Sequence, residues 1–267
     1  VYLLSVTVIR IIVPPPVAVG LSGEPRLAID TEVLVDASWL DENGERHLSQ
    51  QLFDQVMASI DQADKLILLD MFLFNDWQGP VAESHRSLSG ELTDALILRK
   101  SVQPSIDIIV ISDPINTVYG GIESVHFDRL RSAGITVSLT DLTGLQDSNP
   151  VWSGIWRWLI KPFGNTSANT LPNPFGPGRV SLRSYFALLN FKANHRKLLI
   201  SDNGANQWQA LVSSANPHDG SSAHRNVAVQ FGGAAVADLL RAERALLAHN
   251  DSPVALAIVD QTLESSA

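Results

Sequence analysis

The side chains best suited to chemistry are a histidine and a lysine two positions apart, His195 and Lys197. The apolar residues that follow, Leu198 and Ile200, predict a strand, on which side chains alternate between two faces. His195 and Lys197 should therefore project from one face while the apolar pair is buried on the other. An imidazole can attack phosphorus or move a proton, and an ammonium group can hold a phosphoryl oxygen. The pair predicts a site for a phosphoester.

Two polar residues near this strand have different expected roles. Asn216 follows the next predicted strand, and if that strand returns alongside, its amide donor lies near the same phosphoryl oxygens. Asp202 is an odd number of residues from His195, so on a strand its side chain points to the opposite face. It also begins the predicted turn Asp-Asn-Gly. We expect its carboxylate to accept hydrogen bonds from the turn backbone, which makes its role structural.

This constellation resembles the signature of the phospholipase D superfamily. That signature is a histidine, any residue, a lysine, four residues and an aspartate, followed by a small-residue segment that ends in asparagine. The matching residues are His195, Lys197, Asp202, Ser214 and Asn216. The run 112–116 at the end of a predicted strand is similar to the first half of bacterial lipid-acting, cardiolipin synthase-like members. The resemblance extends over most of the chain.

The resemblance implies a two-step phosphodiester exchange. One histidine forms a covalent phosphohistidine, and the histidine of a second motif protonates the leaving alcohol. Water then gives hydrolysis, and another alcohol gives phosphatidyl transfer. His195 is implied to be the nucleophile or its acid partner, Lys197 and Asn216 phosphate binders, and Ser214 a lesser donor. Neither a metal nor another cofactor is implied, because imidazoles and lysines stabilise the charge.

The chain departs from the family pattern in two ways. His224 begins a run like a second motif, but that run lacks the lysine, and Phe231 stands where the aspartate would fall. We therefore expect half an active site, completed by a second half that follows in the same chain, by a separate partner or by a symmetric homodimer. Family members also often orient the histidine with a carboxylate on the third strand, where this chain has Asn226.

Three further residues are candidates for the rim of the pocket. Asp113 lies at the end of a predicted strand, where sites gather in α/β folds, and is equally suited to start a turn before Pro114. His224 and Asn226 lie near the same region, and His224 is also well explained as a loop residue.

Short apolar runs alternate with amphipathic stretches from residue 27 onward, which is typical of α/β proteins. The predicted β-α-β units favour a mixed, largely parallel central sheet flanked by helices. The resemblance implies that this sheet belongs to a phospholipase D-like half. Predicted strands cover 31–37, 66–74, 106–111, 135–139, 196–201, 209–213 and 226–231. One predicted helix ends near residue 63, and four others cover 92–100, 123–133, 182–189 and 235–248.

The pattern breaks at 142–179, where glycine and proline are frequent, and we expect an irregular insertion that carries function or covers a site. The segment 151–160 within it holds three of the six tryptophans. Two interpretations fit: an interfacial segment that enters lipid headgroups, or a short helix packed on the domain as a lid or crossover. The second is favoured, because the segment carries little positive charge.

Residues 1–26 form an apolar, proline-rich segment before the domain predicted at 27–267. The mostly apolar run 1–13 is too short to span a bilayer. It fits either a strand or the end of a membrane or signal segment. A membrane-associated or cell-envelope location is favoured over a cytoplasmic one, with peripheral contact to the membrane.

Composition narrows the class of protein. The chain has 267 residues, of which 45% are hydrophobic and 18% charged. This composition excludes a disordered chain, a coiled coil and a polytopic membrane protein. Because cysteine is absent, so are disulfides and thiolate nucleophiles. The net charge of −9 disfavours nucleic acid as a partner and favours a phospholipid substrate. Three functions are carried forward: a phospholipase D-like phosphodiesterase or phosphatidyltransferase, a nuclease of the same superfamily, and a non-catalytic half that binds phosphate or a partner.

Overall fold

An eight-stranded sheet carries the fold in the computed structural model, which describes residues 12, 21, 23–79, 81, 85–166, 170–204 and 207–265. In chain order the elements are β1 (Ile29–Leu40), β2 (Arg46–Ser49), α1 (Leu52–Gln62), β3 (Leu66–Met71), α2 (Leu88–Val102), β4 (Asp107–Ser112), α3 (Val125–Ser132), β5 (Thr136–Leu139), α4 (Pro150–Leu159), β6 (Leu171–Pro172), β7 (Arg179–Val180), α5 (Leu182–Leu188), β8 (Lys197–Asp202), β9 (Trp208–Ser213), β10 (Asn226–Gly232), α6 (Ala234–His249) and α7 (Pro253–Ser265). The strand order of the sheet is β2-β1-β10-β9-β8-β3-β4-β5, and β6 pairs with β7 separately.

The sheet is mixed and flanked by helices, as the sequence predicted, but it is less parallel than expected. β4 pairs in parallel with β3 and β5. The remaining pairings of the sheet, from β2 across to the β8–β3 pair, are antiparallel. Connection length explains the difference: α2 and α3 carry the chain back between the parallel strands, whereas a short turn joins β8 to β9 and imposes an antiparallel hairpin.

Helices cover both faces of the sheet and form two cores. On one face α1, α2 and α3 pack against β3, β4 and the hairpin strands; on the other, α6 and α7 do so. The first core includes Val56, Leu69, Leu92, Val110 and Phe127, and the second includes Leu68, Ile200, Leu240, Leu247 and Val259. The amphipathic helices thus bury their apolar sides and hold the sheet edge in a fixed position.

β3 lies at the centre of this arrangement and is buried over its whole length. The strand ends at Met71, three residues earlier than predicted. The backbone N–H groups of Leu73 and Phe74 bond to side chains of Asn216 and Asn116 instead of a neighbouring strand. The chain after β3 is therefore shaped by amide side chains, which a pattern of apolar residues does not reveal.

The insertion contains more regular structure than its glycine and proline content predicted, namely α4 and the β6–β7 pair. Pro150 begins α4 at a position where its missing N–H costs nothing. One side of α4 packs on α5 and the residues after it: Trp152 Nε1 donates to the carbonyl of Phe186 at 2.9 Å, and Ser153 Oγ donates to Asn190 Oδ1 at 2.8 Å. The tryptophan segment is thus a helix packed on the domain, with its other side exposed.

Most of the segment 1–26 lies outside the described residues, so both interpretations of 1–13 stay predictions. In the described part of the chain, no helix is long and apolar enough to cross a membrane. Besides the β6–β7 pair, two further elements were not predicted. β2 is short and polar, and α7 follows Pro253 after the helix that was expected to be the last.

Candidate active site

Four of the predicted site residues lie at one end of the sheet, near the carboxyl ends of β3 and β4: His195, Lys197, Asn216 and Asp113. β8 runs antiparallel to β3, and Lys197 at its start pairs with Met71 at the end of β3. β9 returns antiparallel to β8, so the residues after Ser213 reach the same edge. The hairpin therefore places His195, just before β8, and Asn216, just after β9, beside the end of β3.

His195 and Lys197 lie on the same face, as predicted, and share the ring of Phe72. The ring centroids of His195 and Phe72 are 4.6 Å apart, and Lys197 Nζ lies 5.0 Å from the Phe72 centroid. Lys197 Nζ also donates to the carbonyl oxygen of His195 at 2.9 Å. Lys197 is only 7% exposed, whereas His195 is exposed. Phe72 thus supports both groups and leaves the imidazole open to a substrate.

Burial and charge together set the proton affinity of this pair. Burial, and then the positive charge of Lys197, lower the pKa of His195 below its ordinary value of 6.5. Burial also lowers the pKa of Lys197, against the opposing effect of the Asp70 carboxylate. His195 is consequently a neutral imidazole at pH 7, with a lone pair available for attack on phosphorus.

Asn216 and Asn116 hold the chain that follows β3 from two sides. Asn216 Oδ1 accepts from the N–H of Leu73 at 3.0 Å, and Asn116 Oδ1 accepts from the N–H of Phe74 at 2.8 Å. Asn116 Nδ2 donates to the carbonyl of Phe72 at 2.8 Å. Within the described residues, Asn216 Nδ2 has no hydrogen-bond partner. Its oxygen is fixed by the backbone N–H of Leu73, which leaves its N–H donors available to a ligand.

Two buried acids anchor Asn194, the residue before His195. Asp113 Oδ2 accepts from the backbone N–H of Asn194 at 2.6 Å, and the Asp70 oxygens accept from Asn194 Nδ2 at 2.7 and 3.0 Å. Asp113 Oδ1 accepts from the N–H of Ile115 at 2.8 Å, so it also starts the turn after β4. Both acids are 0% exposed. Asp113 therefore lies behind the site and positions its backbone, and is not part of an exposed rim.

Arg196, the residue after His195, is anchored to a third buried acid. Its Nη1 lies 3.0 Å from Glu243 Oε1 and 3.9 Å from Asp70 Oδ2. Burial raises the pKa of Asp70 and of Glu243, whose carboxyl groups contact each other. Two adjacent buried carboxyls hold a proton between them. With the charge of Arg196, the cluster is then close to neutral and holds the backbone on both sides of His195.

Asp202 lies at the opposite end of β8 from the site. Its Oδ1 accepts from the N–H groups of Lys65 and Leu66 at 2.8 and 3.1 Å, and its Oδ2 accepts from Asp64 and Gly204 at 3.0 and 3.2 Å. Burial raises its pKa, but these four bonds outweigh burial and the pKa is lowered. Asp202 thus ties the β8–β9 turn to the start of β3, a wider role than the local turn contact predicted.

Ser214, Asn226 and His224 form a local network of hydrogen bonds with one another. Ser214 Oγ donates to Asn226 Oδ1 at 2.9 Å and accepts from the N–H of Val227 at 3.0 Å. Asn226 Nδ2 donates to the carbonyl of His224 at 3.4 Å. In the described part of the chain, none of these side chains hydrogen-bonds to His195. Asn226 does not orient the imidazole in this arrangement, and the Ser214 hydroxyl is used within the protein.

The buried carboxyls behind the site were missed by the sequence reasoning, although each left a signal. Asp70 interrupts the otherwise apolar run 66–71. Glu243 lies three residues after Leu240 and four before Leu247, on the apolar side of α6. A carboxyl at a buried position needs partners. Among the residues that the structure describes, no group of three or more histidine, aspartate or glutamate side chains is arranged to hold a metal ion.

No protein-family model and no curated protein matches the chain. Solved structures that are similar in fold include a phospholipase D family member, Nuc from Salmonella typhimurium, at 13% identity and a TM-score of 0.40, covering 81% of this chain and 91% of that one. NucT from Helicobacter pylori is 10% identical with a TM-score of 0.45, covering 82% of this chain and 98% of that one. Yeast tyrosyl-DNA phosphodiesterase is 11% identical with a TM-score of 0.31, covering 79% of this chain and 47% of that one.

Proposed function

We propose that this chain is a motif-bearing half of a phospholipase D-type phosphodiesterase, and that His195 is its nucleophile. The observation that carries the proposal is the convergence of an exposed neutral imidazole, a buried lysine and a free amide on the chain around Phe72. The imidazole ring lies 4.6 Å from the ring of Phe72, and Lys197 Nζ lies 5.0 Å from it. Asn216 bonds to the next residue, Leu73, at 3.0 Å.

In the first step, a nitrogen of His195 attacks phosphorus, an N–P bond forms, and the P–O bond to the leaving alcohol breaks. Lys197 and the amide of Asn216 hold the non-bridging oxygens, on which negative charge increases. In the second step, water or another alcohol attacks phosphorus, loses its proton to a base and releases His195. With water the products are a phosphomonoester and the alcohol that left in the first step. With another alcohol they are a new diester and that same leaving alcohol.

A second proton-handling group is needed for natural leaving groups, because an alkoxide is too basic to leave unprotonated. One His-x-Lys motif supplies one imidazole. We propose that a second motif-bearing half supplies the other, either in the same polypeptide or by pairing with a second copy. Water is then activated by the imidazole that protonated the first leaving group.

Phospholipid is the proposed substrate class, for hydrolysis or phosphatidyl transfer. The net charge of −9 does not favour a polyanion that tracks along the whole surface. The insertion beside the site exposes large apolar side chains, including Leu159 and Phe163. A diester with an apolar portion suits this combination better than a nucleic acid. A membrane-associated or cell-envelope location belongs to the same proposal.

The substrate class is tested with two activated diesters that share one leaving group. Phosphatidyl p-nitrophenol in detergent micelles and thymidine p-nitrophenyl phosphate both release p-nitrophenolate, which leaves without being protonated. The first step is therefore observed even with a single motif. We expect the initial release from the lipid diester to be at least about tenfold faster, and to be absent in the His195→Ala variant.

Three other results would each contradict part of the proposal. Faster release from the thymidine diester would replace the lipid proposal with a nuclease. Release from neither diester, with phosphate still bound by the folded chain, would identify a non-catalytic phosphate-binding half. Equal release by the His195→Ala variant would remove His195 from the nucleophile role.

A further inference from the structure

The insertion carries a group of exposed apolar side chains that the described residues leave uncovered. Val151, Trp158 and Leu159 follow one side of α4 at helical spacing. Trp158 is 44% exposed, Leu159 62%, Phe163 69% and Leu182 50%. We call these five residues the insertion face. A group of large apolar side chains exposed together on a folded chain often marks a binding surface.

The insertion face is held by specific contacts. Trp152 and Ser153, on the opposite side of α4, bond to Phe186 and to Asn190 at 2.9 and 2.8 Å. Arg183 Nη1 donates to the carbonyl of Phe163 at 2.8 Å, and its guanidinium lies 5.9 Å from the Phe163 ring centroid. The exposure of these side chains is thus a property of an ordered surface.

A groove of about 380 Å³ runs through the insertion face, lined by Leu159, Phe163 and Leu182 among others. A second cavity of about 260 Å³ lies behind it, and Ile160 and Arg183 line both spaces. The two spaces are therefore adjacent, with the groove on the outside.

The inner cavity lies close to the segment that carries the proposed nucleophile. Thr140 and Lys192 line it. Thr140 Oγ1 accepts from Asn194 Nδ2 at 3.0 Å, and Asn194 directly precedes His195. Thr140 therefore links the lining of the inner cavity to the residue that precedes His195.

Charge is distributed unevenly between the insertion and the rest of the protein. Residues 142–190 contain four basic residues and one acidic residue, whereas the rest of the chain contains fifteen and twenty-seven. The one acid, Asp147, is buried and ion-paired with Arg157 at 2.8 Å and with Lys192 at 2.6 Å. Lys161 is exposed next to the insertion face, with Asp141 at the border of the insertion. The exposed charge of the insertion itself is positive.

We propose that the insertion face docks on the surface of an anionic phospholipid bilayer. Aromatic and aliphatic side chains enter the boundary between headgroups and acyl chains, and Lys161 and Arg183 meet the phosphates. Residues 151–160 alone carry little positive charge, and the fold brings the cations of neighbouring segments beside them. The inference rests on the proposed function for its substrate class, but docking is measured without turnover.

The test is cosedimentation of the full chain with vesicles of phosphatidylcholine, with and without phosphatidylglycerol, using the His195→Ala background so that no lipid is consumed. We expect binding to require phosphatidylglycerol and to weaken in high salt. The double variant Leu159→Ser, Phe163→Ser should bind at least about tenfold more weakly. The matched control is Leu98→Ser, Val125→Ser, which removes apolar side chains of similar exposure, 62% and 63%, from α2 and α3.

The control keeps residues 1–26, so any contribution of that segment is common to both variants. Quenching by brominated lipid should also fall in the Trp158→Phe variant. Equal binding by the two double variants would overturn the proposal. The proposal would also be overturned if the double variant Leu159→Ser, Phe163→Ser bound vesicles normally but changed its oligomeric mass in analytical ultracentrifugation. That result would assign the insertion face to contact with a second copy of the chain. If the wild-type chain binds the same vesicles but turns over no lipid, that result would contradict the proposed function alone.

Discussion

The backbone N–H of Asn194 donates to Asp113 Oδ2 at 2.6 Å in the interior of the protein, one residue before the proposed nucleophile. The two residues are 81 positions apart in the chain. Through this bond the end of β4 fixes the entry to β8, so the position of His195 depends on a carboxyl that no substrate reaches. The role of Asp113 is to position the histidine.

Asp113 should make stability depend on pH in an identifiable way. Burial, against two backbone hydrogen bonds, raises its pKa from 3.8 to about 6. Between these values the folded state binds a proton that the unfolded state has lost. The contribution of Asp113 to the free energy of unfolding therefore falls by up to about 3 kcal/mol as pH rises from about 4 to 6. Above pH 6 it stays at the lower value.

The Asp113→Asn variant removes this titration while keeping the side-chain shape. It should be less stable than the wild type at pH 4, because Asn194 loses an acceptor, and the difference should narrow by pH 7. Urea unfolding of both proteins across this range measures it. A difference that does not change with pH would show that Asp113 is ionised throughout in the folded state.

Lys197 should control the protonation of His195 through its charge. The pKa of His195 is lowered by burial and then by Lys197. Replacing Lys197 with methionine keeps an unbranched apolar stem but removes the charge, so the pKa of His195 should move up towards its ordinary value. NMR titration of labelled histidines measures this, with the His195→Gln variant identifying the resonance. An unchanged or lower midpoint would contradict the contact around Phe72.

Asp202 should affect stability without affecting chemistry. In the Asp202→Asn variant one carboxylate oxygen becomes an NH₂ group, so two of the four backbone N–H groups it serves lose their acceptor. We expect a loss of at least about 2 kcal/mol in the free energy of unfolding. The rate of p-nitrophenolate release per folded molecule should stay unchanged. A large loss of rate at full folding would place Asp202 in the catalytic machinery.

The sequence predicted the elements well where local pattern decides them. Alternation of side chains placed His195 and Lys197 on one face, and the turn after Asp202 predicted the hairpin that returns Asn216 to the same edge. More of the strands were expected to pair in parallel than do so. The order of β-α-β units does not determine how the later hairpin strands join the sheet. Local signals can place residues within an element, whereas strand order depends on packing between elements.

Other parts of the site depend on contacts between distant segments. Asp70 and Glu243 are 173 positions apart and meet at Arg196 only because α6 packs over β3 and β8. Phe72 supports the imidazole from a segment that leaves its strand early, held by the side chains of two asparagines. Charged residues within apolar patterns indicated that buried polar groups existed, but only the fold identifies their partners.

Attack of His195 on phosphorus is observed most directly in a burst experiment with bis(p-nitrophenyl) phosphate. The leaving group needs no acid, so the single motif suffices. We expect a burst approaching one p-nitrophenolate per chain and an acid-labile phosphoryl adduct, which mass spectrometry should locate on the peptide containing His195. The folded His195→Ala variant should show neither. No burst from the wild type, or a burst that the His195→Ala variant retains, would contradict attack by His195.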